Sequence, residues 1–325
     1  MKLLEAVNAY VEGRKTFGAV YQNGIPTLDA LCRYAGDIPL SSIRERQIAA
    51  FLDGPKIAES TWQQKYRMLR GFFLFWLARN AISASPMPSQ RPPVEYPFKP
   101  YVYSRSEIRR LLTMVRIGQK SSNCKIEAET VRTIILFLYG TGALLSEALT
   151  LQRNDLDLRK HTITFRGSRP YRSRTIPMCS DLYRILRRYY ARTQQENSAG
   201  TTYLFLNRNG HAITEYAMET TFRRLRKVAG VTRRDGAASR PRLHDLRHTF
   251  AVHRIDAWIK HGADLNRMLP ALSVYMGRFG LSSSDRYLTL SPERFRAQLN
   301  KLSPRRGKRH WRDNPGLIKF LTQLG

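Results

Sequence analysis

The chain has 325 residues, 42% of them hydrophobic, which is ample for folded cores, makes two domains the natural expectation and excludes a disordered polymer. Lysine and arginine number 55 against 25 acidic residues, a formal charge of +30 that exceeds what solubility needs and points to a polyanionic partner, nucleic acid first among them. Three cysteines without metal or redox spacing, an N-terminus without a secretory pattern, and a longest apolar run (133–145) broken by Gly140 and Gly142 together predict a cytoplasmic protein that does not span a membrane.

Residues 1–82 read as four helices. LLEAVNAYVEG, TLDALCRYAG and IRERQIAAFLDG each end on a glycine placed to serve as a C-cap. The fourth starts after Ser60 or Thr61 as N-cap and carries Trp62, Tyr66, Leu69, Phe73 and Trp76 at spacings of 4, 3, 4 and 3. That stripe is read as core rather than a base-stacking platform. Lys65, Arg67 and Arg70 occupy other faces and are candidate phosphate contacts. The stretch 83–102 holds six of the 16 prolines, which forbids helix and marks a linker.

A second domain is expected over 103–300. Ser104 and Glu107 form a capping box ahead of Ile108, Leu111 and Leu112. TIILFLYGTGALLSEALTLQRNDLDL reads as an apolar helix, a glycine turn and a second helix, and HTITFRGSRPYRSRTIP as two strands around a basic turn. Residues 181–188 follow as a helix with Leu182, Leu186, Tyr189 and Tyr190 on its apolar side. YLFLNRNGHAI suggests a short strand and an Asn-Gly turn, and Thr214 caps a helix carrying Phe222, Leu225 and Val228, whose RRLRK run faces DNA or solvent. Beyond Pro292 come a helix, a basic link and, over 301–325, a last helix opened by Asn314 and Pro315. Its narrow face of Leu317, Phe320, Leu321 and Leu324 is too short to be stable alone.

The chemistry concentrates in 241–288. PRLHDLRHTFAVH places His244 and Arg247 on one helix face, and YMGRFGLSSSDRYL supplies Arg278 and then Tyr287. A tyrosine hydroxyl attacks a phosphodiester only when its proton is removed and fixed donors meet the charge on the phosphoryl oxygens. His244 and His248 also have the spacing of a helical zinc pair. Arg247 stands between them with no evident third ligand, so no metal is expected.

HDLRHTFA, then MGR with a tyrosine nine residues after its arginine, resembles the tyrosine recombinase (phage integrase) family, whose boxes read H-x-L-R-H and L-G-H or W. The resemblance implies a mainly α fold: a helical, SAM-like core-binding domain, a proline-bearing linker and an α-rich catalytic domain with a small antiparallel sheet, clamping double-stranded DNA. It implies cleavage by Tyr287 through a 3′-phosphotyrosyl link, with Arg247, His244 and Arg278 as anion binders, no cofactor, and assembly as a homo-oligomer, from dimer to tetramer, or with related recombinases. The segment 301–325 would then dock in trans on a neighbouring protomer. Cytoplasmic, nucleoid-associated action in a bacterium follows from the same likeness.

Three positions depart from the family pattern. G-T-G-L-R-x-S-E-L puts a catalytic arginine where this chain has Leu144, although Ser146, Glu147, Leu149 and Asp155 match the flanks. Loss of one such donor typically costs about 10² to 10³ in rate. Arg153 and Arg278 are the candidates to compensate. Arg166 stands where the family carries a lysine general acid, and an arginine rarely gives up its proton; Arg169, Arg172 and Arg174 beside it read equally as DNA-backbone contacts. Arg278 replaces the usual histidine or tryptophan. The leading expectation is a recombinase or integrase of a mobile element. A catalytically impaired architectural partner of active recombinases is the second reading, and a nick-releasing topoisomerase the third.

Overall fold

The computed structural model describes residues 1–16, 24–54, 57–91, 100–119, 124–167, 173–196, 202–233, 235, 237 and 239–277. These form a helix-rich chain with one small antiparallel sheet, in two compact units. No helix among the described residues is long and apolar enough to cross a membrane.

The first unit is built from α1 (Leu3–Thr16), α2 (Ile25–Ala35), α3 (Glu45–Leu52) and α4 (Glu59–Leu77). In α1 the buried residues Leu3, Ala6, Val7, Tyr10 and Val11 recur on one face, as an amphipathic helix requires. The α4 stripe is core: Trp62, Tyr66, Leu69, Phe73 and Trp76 are all buried. Trp62 stacks on Tyr66 with ring centres 5.1 Å apart, and its indole N–H donates to Asp53 Oδ1 at 2.9 Å. Two helix boundaries differ from expectation. α1 runs through Gly13 to Thr16, since a glycine weakens a helix without ending it when the next turn still has contacts. α4 begins two to three residues early with Ala58 in the N-cap position, so neither Ser60 nor Thr61 caps it. Gly36 does close α2, at φ 74°.

The second unit contains α5 (Arg105–Gly118), α6 (Ala128–Thr141), α7 (Leu145–Leu149), β1 (Leu156–Asp157), β2 (Thr162–Phe165), β3 (Arg174–Pro177), α8 (Ser180–Glu196), α9 (Glu215–Val228), α10 (Asp245–Lys260) and α11 (Leu265–Tyr275). The capping box forms as read: Ser104 Oγ accepts from the Glu107 N–H, and Glu107 Oε2 accepts from the Ser104 N–H. Thr214 Oγ1 likewise accepts from Ala217 N–H at the start of α9. The most apolar helix, α6, lies against α5, α8 and α10, with Ile134, Ile135 and Phe137 fully buried. The sheet has order β1-β2-β3, with Phe165 paired to Arg174 and Ile163 to Ile176. The two residues of β1 carried no alternation that a sequence reading could find. The expected strand within YLFLNRNGHAI is reduced to single bridges, Gln152 to Tyr203 and Leu206 to Ala212. On α9, Phe222 and Leu225 are buried, but Val228 is 46% exposed and Arg226 is buried, so the last turn is rotated from the expected face.

Candidate active site

Residues far apart in sequence meet at the first turn of α10. Arg247 is only 3% exposed, and its guanidinium spans two loops: Nη1 donates to the Gly142 carbonyl at 2.6 Å and Nη2 to the Met276 carbonyl at 2.7 Å. Gly142 ends α6 in the left-handed region at φ 64°. A Cβ there would stand 2.4 Å from Phe250 Cδ1, so both backbone conformation and the approach of α10 require glycine. His244, three residues before Arg247, is exposed at the N-cap position of α10, its ring edge-on to buried His248 with centres 5.4 Å apart.

Position 144 lies at the neighbouring turn. Leu144 is half-buried; its N–H donates to Glu147 Oε2 at 2.8 Å and its carbonyl accepts the Ala148 N–H, while its side chain carries no donor. The cation at this place comes from β3. Arg174 faces inward with Ile176, as the two-residue period of a strand dictates. Its Nη1 and Nη2 donate to Glu147 Oε1 and Oε2 at 2.6 and 2.9 Å, its Nε donates to the Tyr275 carbonyl at 3.0 Å, and its guanidinium carbon lies 4.5 Å from the Phe165 ring centre. Burial pushes the Glu147 carboxyl up. The Arg174 hydrogen bonds, the Leu144 N–H and the charges of Arg174 and Arg247 together outweigh it and hold the group below its ordinary range.

The Phage integrase family model matches residues 104–269, just over half of the chain. The chain belongs to this family. It is 31% identical over 323 residues to y4rB of Sinorhizobium fredii, described as an integrase/recombinase, covering 95% of this chain and 98% of that one. It is 27% identical to the tyrosine recombinase XerC of Staphylococcus carnosus over 81% of this chain and 82% of that one. Its fold matches the Tn1549 transposon integrase in complex with a circular intermediate DNA at a TM-score of 0.65 and 19% identity, covering 93% and 100% of the two chains.

As a phage integrase family member, the chain brings its first box (Gly142, Glu147), second box (His244, Arg247) and the start of its third (Met276, Gly277) to one place. Other expected site residues have these surroundings. Arg166 follows β2, has a side chain 64% exposed and donates to Asp155 Oδ1 at 2.6 Å. Arg153 donates to the Thr193 carbonyl and lies over the Tyr190 ring, so it does not reach Leu144. Arg174, read with the surface phosphate contacts, is instead paired with Glu147. Lys65 is half-buried over the Phe51 ring, while Arg67 and Arg70 are exposed along α4. Arg169, Arg172, Arg278, Tyr287 and the 301–325 segment lie outside the described residues.

The RRLRK run of α9 lines one side of a basic groove of about 720 Å³ through Arg223 and Lys227; its other side, Arg240 and Arg242 before α10, is what the sequence reading missed. Arg242 is oriented by the buried Asp245, which accepts both its backbone N–H (2.8 Å) and its Nη2 (3.1 Å). Among the described residues, no group of three or more potential metal ligands converges.

Proposed function

We propose that this phage integrase family member is a site-specific DNA recombinase or integrase of a mobile element. Tyr287 attacks a backbone phosphate, forming a 3′-phosphotyrosyl link and freeing a 5′ hydroxyl. The observation that carries the reading is the convergence of three distant boxes on the buried Arg247, with His244 exposed beside it. Arg247 holds the phosphoryl oxygens, His244 handles charge and proton movement at the attacked phosphate, and Arg278 adds a donor. The covalent link conserves bond energy, so the chemistry calls for no nucleotide or metal. Arg166, tied to Asp155, binds the DNA backbone rather than protonating the leaving oxygen. The basic groove beside Arg242, together with Lys65, Arg67 and Arg70, supports double-stranded DNA as the partner. The Tn1549 structure, a complex with circular intermediate DNA, is consistent with that choice.

Several protomers act together in this reading. The 301–325 segment docks in trans on a neighbour, and an apolar groove of about 360 Å³ lined by Phe250, Trp258, Leu272 and Tyr275 suits its narrow apolar face.

Incubation with a nicked duplex carrying the recombination site tests the chemistry: a covalent protein–DNA band on a denaturing gel is expected, and it should vanish in Tyr287→Phe. A second reading, an architectural partner that binds without cutting, is favoured by the single observation that Leu144 has no side-chain donor. Tight, salt-sensitive binding without any covalent band would establish that reading and sink the first.

A further inference from the structure

We propose that Arg174 supplies the second guanidinium of the phosphate clamp, in place of the side chain that Leu144 cannot provide. The inference deepens the recombinase reading and rests on it for the identity of the anion. Three observations carry it. Arg174 and Arg247 donate to consecutive carbonyls, Tyr275 and Met276, at the end of α11, so the two guanidinia flank one turn. Both act on Glu147, the acid whose other partner is the backbone N–H of Leu144 itself. Finally, Gly277 at φ 67° leaves the room that Arg174 uses: a Cβ on it would stand 2.5 Å from Arg174 Nη1.

The chemistry of the cluster fits an anion. The Arg174 guanidinium is paired with Glu147, and the charge of Arg247 acts on the same carboxylate, so the turn that both arginines hold is electropositive. Among the described residues, three of the five N–H donors on Arg174 are engaged by Glu147 and Tyr275, and two remain. With 14% of its side chain exposed, Arg174 is the more accessible of the two arginines. Its bidentate pairing with Glu147 fixes the fork before DNA arrives, so little freedom is lost when a phosphate binds. Leu144 is tolerated because the space an arginine would use at that position already has a cation beside it, delivered from β3 and held against the Phe165 ring.

The test locates the phosphate without requiring cleavage. A binding site selected from random duplexes is resynthesised as a series in which each phosphate in turn is replaced by a neutral methylphosphonate, and affinities are measured for the full chain, Arg174→Ala and Arg247→Ala. Arg174→Ala is expected to weaken binding of the native duplex by about ten- to a hundredfold, the range for hydrogen bonds to charged groups. That penalty should disappear at one methylphosphonate position, the same one at which the Arg247→Ala penalty disappears. Penalties that map to different phosphates, or an Arg174 penalty that survives every replacement, would overturn the proposal. Should Arg174→Ala unfold because Glu147 is left unpaired, Arg174→Ala with Glu147→Gln removes the orphaned charge and is scored identically. Leu144→Arg in the Arg174→Ala background is expected to restore the lost affinity at that same phosphate. The recombinase reading fails separately, if Tyr287 never becomes linked at the phosphate so mapped.

Discussion

Glu147 shows how one side chain can belong to both stability and chemistry. Its side chain is 19% exposed and takes two hydrogen bonds from Arg174 and one from the Leu144 N–H. Its folded pKa lies below the ordinary 4.5, so the stabilisation is present above that value and is lost as pH falls through the depressed one. Glu147→Gln is expected to destabilise the second unit at neutral pH by roughly 2–3 kcal/mol, somewhat less than a fully buried pair because part of it is solvated. Thermal unfolding followed from pH 7 to pH 3 checks this: the gap between wild type and variant should narrow below about 4.5, and a gap constant across the range would show that the charge plays no part. Much of this residue's environment was unreadable in the sequence. Its match to the family's first box was plain, but its main partner lies 27 residues away across a hairpin. The available clue was alternation: Ile176 is buried, so Arg174, two residues before it, shares its face.

At the scale of elements, local chemistry was legible and long-range closure was not. The Ser104 box, the Thr214 cap and the α4 stripe each rest on spacings of three or four positions, and the hairpin pairs residues 9 to 15 apart across one turn, so local pattern decides the geometry. Ser104 is the sharpest case, because Glu107 serves two masters: Oε2 accepts the Ser104 N–H and Oε1 accepts the Tyr101 hydroxyl at 2.6 Å. Burial and that carboxylate push the Tyr101 hydroxyl above its ordinary pKa. Ser104→Ala should cost about 1 kcal/mol through loss of the N-cap acceptor, with the effect visible as faster amide exchange in the first turn of α5. No change in exchange there would mean that Glu107 alone holds the helix start. By contrast, the contact between Gly142 and Arg247 spans 105 positions. The sequence marked Gly142 as a turn residue without showing that Phe250 would press on it.

For the whole molecule, the excess of positive charge sets the expected mode of binding. Most of the net +30 belongs to the second unit, with 42 lysines and arginines against 17 acids and the Arg240–Arg242 groove, while the first unit has 13 against 8, with Lys65, Arg67 and Arg70 on α4. Duplex DNA that engages both should release counterions in proportion to the phosphates neutralised, so log affinity should fall linearly with log salt, with a slope of about −0.9 per phosphate. A contact set of about 6 to 10 phosphates would give a slope between roughly −5 and −9. Arg242→Ala and Lys65→Ala each remove one candidate contact and should each make the slope shallower by about 1, without changing which sequences are preferred. If both variants do so additively, the two units bind one duplex together. A change in Arg242→Ala alone would place DNA on the second unit only, and the basic face of α4 would then be a solvated surface whose charge serves solubility.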